Sequence, residues 1–158
     1  AKYAAQLIEN SDFVYLDAGT TTELLVDFLE TPGATFVTNS SVIAKKLSSK
    51  GYLVYILGGE YKPENDIIVG EEAVVTLDKY NFTKGFWGAD GVSVSSGYTT
   101  TEIKNEGELH IIKKIFAKDL KIFLTASVAE RAKRRYKELS NTETNYQEVL
   151  ENIKTRSL

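Results

Sequence analysis

The chain has 158 residues, of which 42% are hydrophobic, so it is long and apolar enough to fold around a substantial core. Its formal net charge of −3 argues against a basic nucleic-acid-binding surface over the whole chain. The absence of cysteine and the single histidine, His110, exclude disulfides, thiolate catalysis and zinc ribbons and leave carboxylates as the main metal ligands. We expect neither a metal nor a cofactor.

The predicted elements alternate between helices and strands. They are helix 2–9, strand 13–17, helix 22–30, strand 35–38, helix 41–48, strand 52–57, a loop at 60–70, helix 71–78 and strand 84–88. A Gly-, Ser- and Thr-rich stretch then predicts loops or a short hairpin, followed by helix 102–117 and strand 120–125. This alternation predicts an α/β fold, with a mainly parallel sheet and helices on both of its faces.

The last part of the chain has fewer apolar positions. A charged helix is predicted over 127–139 and a second helix over 146–155, so that the chain ends in a helical hairpin. We therefore divide the chain into an α/β domain, 1–126, and a C-terminal helical segment, 127–158. No apolar run approaches the roughly 20 residues that span a bilayer, and no signal peptide opens the chain. We expect a cytoplasmic protein with no membrane partner.

The sequence contains no methionine and begins within a helical pattern. We therefore expect it to be part of a longer chain with a further segment upstream.

The segment with most information on function is the 17–22 loop, Asp-Ala-Gly-Thr-Thr-Thr, between a strand and a helix. A glycine and hydroxyls at that junction direct main-chain N–H donors and the positive end of the helix dipole to one spot, which favours an anion such as phosphate. The alternative is an ordinary hydroxyl-capped turn, because Thr and Asp are common N-caps.

Three more polar loops follow predicted parallel strands, at 38–40, 58–60 and 88–91. Ligands of open α/β sheets bind at the carboxyl edge, where these loops meet. Gly lets a main chain approach a ligand closely, and Asp17, Asn39 and Asp90 can bind hydroxyls. Each loop alone has the composition of an ordinary turn. Together they predict a site for a small polyhydroxyl ligand.

Other candidate ligand-binding residues also have purely structural explanations. Glu106 and His110 share a helix face and either reach the ligand or form a surface pair. Lys62, Lys84 and Lys104 either supply charge to a phosphate or are solvated. A Thr-Thr-Thr-Glu run at 99–102 reads as a helix cap. No P-loop and no Gly-x-Gly-x-x-Gly motif occurs, and no pair of carboxylates has a spacing that singles it out for catalysis. We expect no enzymatic activity.

The ordered motifs Asp-Ala-Gly-Thr-Thr-Thr, Thr-Asn-Ser, Leu-Gly-Gly-Glu, Val-Gly-Glu, Trp-Gly-Ala-Asp-Gly and Gly-Tyr-Thr-Thr resemble the C-terminal sensor domain of DeoR-family bacterial transcription regulators, over about residues 1–117. The resemblance implies a fold like ribose-5-phosphate isomerase without its activity. It also implies a phosphorylated sugar or related metabolite as ligand, a homo-oligomer, and DNA binding through a winged helix-turn-helix domain upstream. The ligand-binding residues expected are Asp17, Gly19, Thr20, Thr21, Thr22, Thr38, Asn39, Gly58, Gly59, Gly88, Asp90, Glu106 and His110.

Two segments depart from that family pattern. His110 takes the place of a usual lysine, and residues 125–129, Thr-Ala-Ser-Val-Ala, lack the usual acid and lysine after the last strand. Residues 120–158 instead resemble bacterial cytidylate kinase. This indicates an alternative: a natural or engineered chimera, joined near Lys118 and Asp119, with no retained activity. A relic of a nucleoside monophosphate kinase or of a sugar-phosphate isomerase is the third hypothesis.

Overall fold

The computed structural model of the chain describes residues 1–88, 91–93, 97–99, 129, 132, 133, 136 and 145–155. These residues fall in two compact units. Residues 1–88 belong to the first unit, and the remaining described residues belong to the second. The expected division into 1–126 and 127–158 stays a prediction.

The described residues of the first unit form a four-stranded parallel sheet. Its strands are β1 (Phe13–Leu16), β2 (Thr35–Thr38), β3 (Leu53–Ile56) and β6 (Lys84–Phe86), and their order is β3-β2-β1-β6. All three pairings are parallel, with Tyr15 opposite Val37 on one side and Gly85 on the other. The expected α/β fold with a mainly parallel sheet is therefore confirmed.

In its described part, residues 1–88, this unit has four helices: α1 (Lys2–Ala5), α2 (Thr20–Val26), α3 (Ser41–Ser49) and α4 (Glu71–Asp78). The chain moves outward from β1 to β3 and then crosses back to β6 on the other side of β1. Right-handed crossovers place helices from these two directions on opposite faces of a sheet. Accordingly, α3 contacts β2 and β3 and also α2. Ala73 and Leu77 of α4 pack with Tyr15 and Val37 in a separate buried cluster.

The bounds of two helices, α1 and α2, differ from those expected by two residues or more. α1 ends at Ala5, and the chain continues to Ile8 through i→i+3 turns, with Ile8 N donating to Ala5 O at 3.2 Å. α2 begins at Thr20 instead of residue 22, because the Thr22 hydroxyl donates to the carbonyls of Asp17 and Gly19 and closes the turn earlier. It ends at Val26, whose carbonyl accepts from Lys50 Nζ at 2.9 Å.

The expected loop at 60–70 is wrong, because this segment is a hairpin of β4 (Glu60–Lys62) and β5 (Ile67–Val69). Asp66, at a φ of 55°, forms the turn. The hairpin docks on the segment after β2: Ile68 N donates to Asn39 O at 2.8 Å, and Ser41 N donates to Asp66 O at 3.1 Å. These long-range main-chain bonds stabilise strands of only three residues each.

In the second unit, β7 (Gly91–Ser93) and β8 (Gly97–Thr99) form a short hairpin, which is one of the two alternatives predicted for this stretch. The helix predicted at 146–155 is confirmed as α5 (Tyr146–Thr155), with Asn145 Oδ1 accepting from Glu148 N at its start. Ala129, Ala132, Lys133 and Tyr136 are helical, and the Tyr136 and Tyr146 rings meet edge to face at 5.8 Å. The predicted helix 102–117 and strand 120–125 lie outside the described residues. Across the part of the chain that is described, no helix is both long and apolar enough to cross a bilayer.

Candidate functional site

The loops after β1, β2, β3 and β6 meet at the carboxyl edge of the sheet. Successive strands are added outward from β1 to β3, and β6 is then added on the other side of β1. The parallel pair β1–β6 is therefore the topological switch point, where open α/β sheets form a crevice. Asp17 N donates to Phe86 O at 2.9 Å and joins the first loop to the end of β6. Leu57 N donates to Thr38 O at 3.0 Å and joins the ends of β3 and β2. The sequence-predicted loops are thus neighbours.

A closed set of hydrogen bonds joins the 17–22 loop to the end of β2. Asn39 Oδ1 accepts from Ala18 N at 2.8 Å, and Asn39 Nδ2 donates to Asp17 Oδ1 at 3.0 Å. The Tyr15 hydroxyl lies 3.4 Å from the same carboxylate oxygen. Sequence reasoning missed Tyr15, although the two-residue period of a strand puts residues 15 and 17 on one face.

Two predicted threonine ligands are turned inward. Thr22 is buried, and its hydroxyl donates to the carbonyls of Asp17 and Gly19 at 2.7 and 2.8 Å. Thr38 is fully buried, and its hydroxyl accepts from Ser40 N at 3.0 Å. Together with Asp17 and Asn39, which are also buried, they form an inner layer below the loop surface.

An outer layer of predicted residues reaches the surface. Gly19, Gly58 and Gly88 are exposed, and Thr20 and Thr21 are half-buried. Among the residues that the structure describes, a Cβ added to Gly88 would meet no atom within 4 Å, and one added to Gly58 would meet only Thr76 Oγ1, at 3.7 Å. With respect to these residues the space beside Gly58 and Gly88 is open, and a ligand can approach the main chain there.

Gly59 is explained by packing within the chain. Its φ of 137° is rarely adopted by other residues, and an added Cβ would lie 2.4 Å from Val69 O. This glycine therefore lets the main chain leaving β3 pass close to β5. A ligand contact is not needed to account for it.

The basic candidates have other partners. Lys84 begins β6 at the amino edge of the sheet, where its Nζ lies 2.5 Å from Asp12 Oδ2, so it is far from the loops that it was expected to serve. Lys62 Nζ lies 2.5 Å from Glu60 Oε1 on the hairpin. On the same hairpin the Tyr61 hydroxyl donates to Asp66, and this hydrogen bond raises the pKa of Tyr61.

Asp90, Lys104, Glu106 and His110 lie outside the described residues. Within the described part of the chain, no group of three or more acidic or histidine side chains is arranged to hold a metal.

This geometry defines an open, mainly parallel α/β domain with polar loops gathered at one edge. The sequence profile of the DeoR C-terminal sensor domain matches residues 1–136, and the chain belongs to this family.

Among the similar proteins are transcription regulators from several bacteria. The chain is 40% identical over 103 residues to an uncharacterized HTH-type transcriptional regulator, FruR, of Bacillus subtilis (strain 168), covering 65% of this chain and 41% of that protein. It is 35% identical over 128 residues to the HTH-type transcriptional regulator IolR of the same strain, covering 80% and 50%. It is 36% identical over 104 residues to the lactose phosphotransferase system repressor of Staphylococcus aureus (strain NCTC 8325), covering 64% and 41%. The chain thus spans half or less of the length of these relatives.

The resemblance of residues 120–158 to cytidylate kinase gains no support from these comparisons. The sensor-domain match runs through the expected join near Lys118 and Asp119 and continues to residue 136. The part of the chain up to that residue is therefore one family domain, and the DeoR half of the resemblance is confirmed.

Proposed function

We propose that the chain is a noncatalytic effector domain that binds a phosphorylated sugar or related metabolite at the carboxyl edge of its sheet. The observation that carries this proposal is the position of four polar loops at the carboxyl edge of one parallel sheet, whose switch point lies between β1 and β6. Membership of the sensor-domain family supports it, as does the lactose phosphotransferase system repressor among the relatives.

The outer layer supplies the chemistry that such a ligand needs. Exposed main chain at Gly19, Gly58 and Gly88 offers N–H donors, and the Thr20 and Thr21 side chains offer hydroxyls. Phosphate oxygens accept from N–H groups, and sugar hydroxyls both donate and accept. We assign these five residues as the ligand-facing set, and we keep Asp90, Glu106 and His110 as further proposed contacts.

In the proposed regulation, the ligand favours one conformation of a homo-oligomer and thereby alters DNA binding by a winged helix-turn-helix domain upstream. Its differential affinity for the two conformations sets the size of the response. Sedimentation equilibrium tests the oligomer: we expect self-association at micromolar concentration, and a monomer at every concentration would contradict it.

Thermal unfolding in the presence of phosphorylated sugars tests the ligand class. We expect at least one of them, at millimolar concentration, to raise the melting temperature, because a ligand that binds the folded state stabilises it. Thr20→Val removes a hydroxyl from the ligand-facing set and should diminish this rise. Thr35→Val, at the amino edge of β2, is the matched control and should leave it unchanged. No rise with any phosphorylated sugar or with inorganic phosphate would contradict the proposal.

A further inference from the structure

We propose that Asp17 and Asn39 are positioning residues, which hold the 17–22 loop in its ligand-accepting conformation without touching the ligand. This inference rests on the proposed function, and it departs from the expectation that both side chains are ligands. It starts from the depth of the two side chains: Asp17 is 8% exposed and Asn39 is 3% exposed, below the surface formed by Gly19, Thr20 and Thr21.

The orientation of the Asn39 amide follows from its partners. Ala18 N can only donate, so the Asn39 atom 2.8 Å from it must be the oxygen. The NH₂ group then faces Asp17 Oδ1 at 3.0 Å, and a carboxylate is the right acceptor for it. The oxygen and the NH₂ group of the Asn39 amide therefore form hydrogen bonds with two successive residues of the loop, Ala18 and Asp17.

The main chain of Asn39 is fixed as well. Its carbonyl accepts from Ile68 N of the β4–β5 hairpin at 2.8 Å. The residue after it, Ser40, caps α3 through a hydrogen bond to Ile43 N and forms a bridge with Ile67. Because these bonds hold residue 39 from several sides, its side chain is a rigid support for Ala18 N.

The Asp17 side is held in a comparable way. Its Oδ1 receives the Asn39 NH₂ and the Tyr15 hydroxyl, and its main-chain N–H is bonded to Phe86 O. The carboxylate thus acts as an acceptor inside the protein. The loop conformation requires that one of these two side chains donates a hydrogen bond to the other. It also requires an acceptor oxygen at residue 39 that faces Ala18 N.

That requirement can be met with the two side chains exchanged. In Asp17→Asn/Asn39→Asp, the amide at 17 donates to the carboxylate at 39, whose other oxygen still accepts from Ala18 N. In Asn39→Asp alone, two carboxylates face each other, and like charges repel. In Asp17→Asn alone, the new amide oxygen can still accept from Asn39.

Calorimetric titration with ribose 5-phosphate and with inorganic phosphate tests the inference on these three variants. We expect Asn39→Asp to weaken binding by about tenfold or more. We expect Asp17→Asn to change it by about threefold or less, and the exchanged pair to bind within about threefold of the wild type. An exchanged pair that folds but binds as weakly as Asn39→Asp would overturn the inference, because a residue that contacts the ligand is not rescued by its neighbour.

Hydrogen exchange at the Ala18 amide supplies a readout that needs no ligand. The amide should exchange faster in Asn39→Asp and return to wild-type protection in the exchanged pair. If Asn39→Asp fails to fold, the exchanged pair compared with the wild type still decides the matter. Failure of the wild type to bind either probe would count against the proposed function. Unchanged Ala18 protection in a folded Asn39→Asp variant would overturn the positioning role itself.

Discussion

Lys84 and Asp12 form an ion pair at the amino edge of the sheet, with Nζ 2.5 Å from Oδ2. Asp12 directly precedes β1 and Lys84 begins β6, so the pair joins these two strands at the end opposite the candidate site. Thr83 Oγ1 donates to the other carboxylate oxygen at 2.7 Å, and Glu9 N donates to Oδ2 at 2.6 Å. The amino edge is therefore closed by internal bonds, whereas the carboxyl edge presents exposed loops.

Asp12→Ala should lower the free energy of unfolding by about 2–4 kcal/mol, because it leaves a lysine and two further donors without their buried acceptor. Glu9→Ala is the control, since it removes a charge 4.0 Å from the same Lys84 Nζ on a side chain that is 78% exposed. We expect it to cost about 0.5 kcal/mol or less. Urea denaturation measures the free energy of unfolding of both variants. Equal losses in the two would contradict a larger contribution from the buried Asp12 carboxylate.

The contribution of Asp12 should depend on pH. Burial alone would raise the pKa of Asp12, but hydrogen bonds from Lys84, the Glu9 amide and Thr83 outweigh burial and hold it below its ordinary 3.8. A depressed pKa stabilises the fold above the unfolded-state value and loses that contribution as pH falls through the folded-state value. The difference in unfolding free energy between wild type and Asp12→Asn should be constant from pH 5 to 7. It should shrink below about pH 4, and a difference of unchanged size at pH 2 would refute this.

Gly59→Ala should destabilise the chain by about 2 kcal/mol or more, since it combines a strained φ with a Cβ placed 2.4 Å from Val69 O. Gly51→Ala is the matched control, because Gly51 has a φ of 84° and open space around its Cβ position. That variant should lose about 1 kcal/mol from backbone strain alone. Thermal unfolding compares the two. If both lose the same amount, the close approach of β5 does not explain Gly59.

Lys46→Met should lower the free energy of unfolding by about 1 kcal/mol, because Lys46 Nζ bridges Glu23 of α2 and Asp27, the residue after its end, at 3.2 and 3.0 Å. Burial alone would lower the pKa of Lys46, but the hydrogen bonds that its ammonium donates to Asp27 and Glu23 outweigh burial and raise this pKa above its ordinary value, in agreement with a favourable pair. The cost should fall in 1 M NaCl, where charges are screened over about 3 Å. Lys45→Met, at an exposed position, is the control and should show no such salt dependence.

The sequence predicted elements best where local signals agree. Strand 35–38 and helices 71–78 and 146–155 have the predicted bounds, since each is a run containing apolar residues that polar residues or a glycine bound closely. The start of α2 and the β4–β5 hairpin were not predicted. The first depends on the side chain of Thr22 and the second on main-chain bonds to Asn39 and Ser41, and neither is a property of a local pattern.

The candidate site was likewise predicted only in part. The strand order brought the predicted loops to one edge, as parallel α/β topology requires. Composition could not tell which polar side chains point inward. Asp17 and Thr38 are buried and bonded within the chain, whereas Gly88 is exposed, and loop residues of either kind look alike in a sequence.

The most direct test of ligand binding at the carboxyl edge is an amide NMR titration of the wild-type chain with ribose 5-phosphate and inorganic phosphate. We predict saturable shifts at Gly19, Thr20, Thr21, Gly58 and Gly88, with the Thr35 and Lys84 amides at the amino edge unchanged. Shifts at the amino edge alone, or none anywhere at millimolar ligand, would contradict the account.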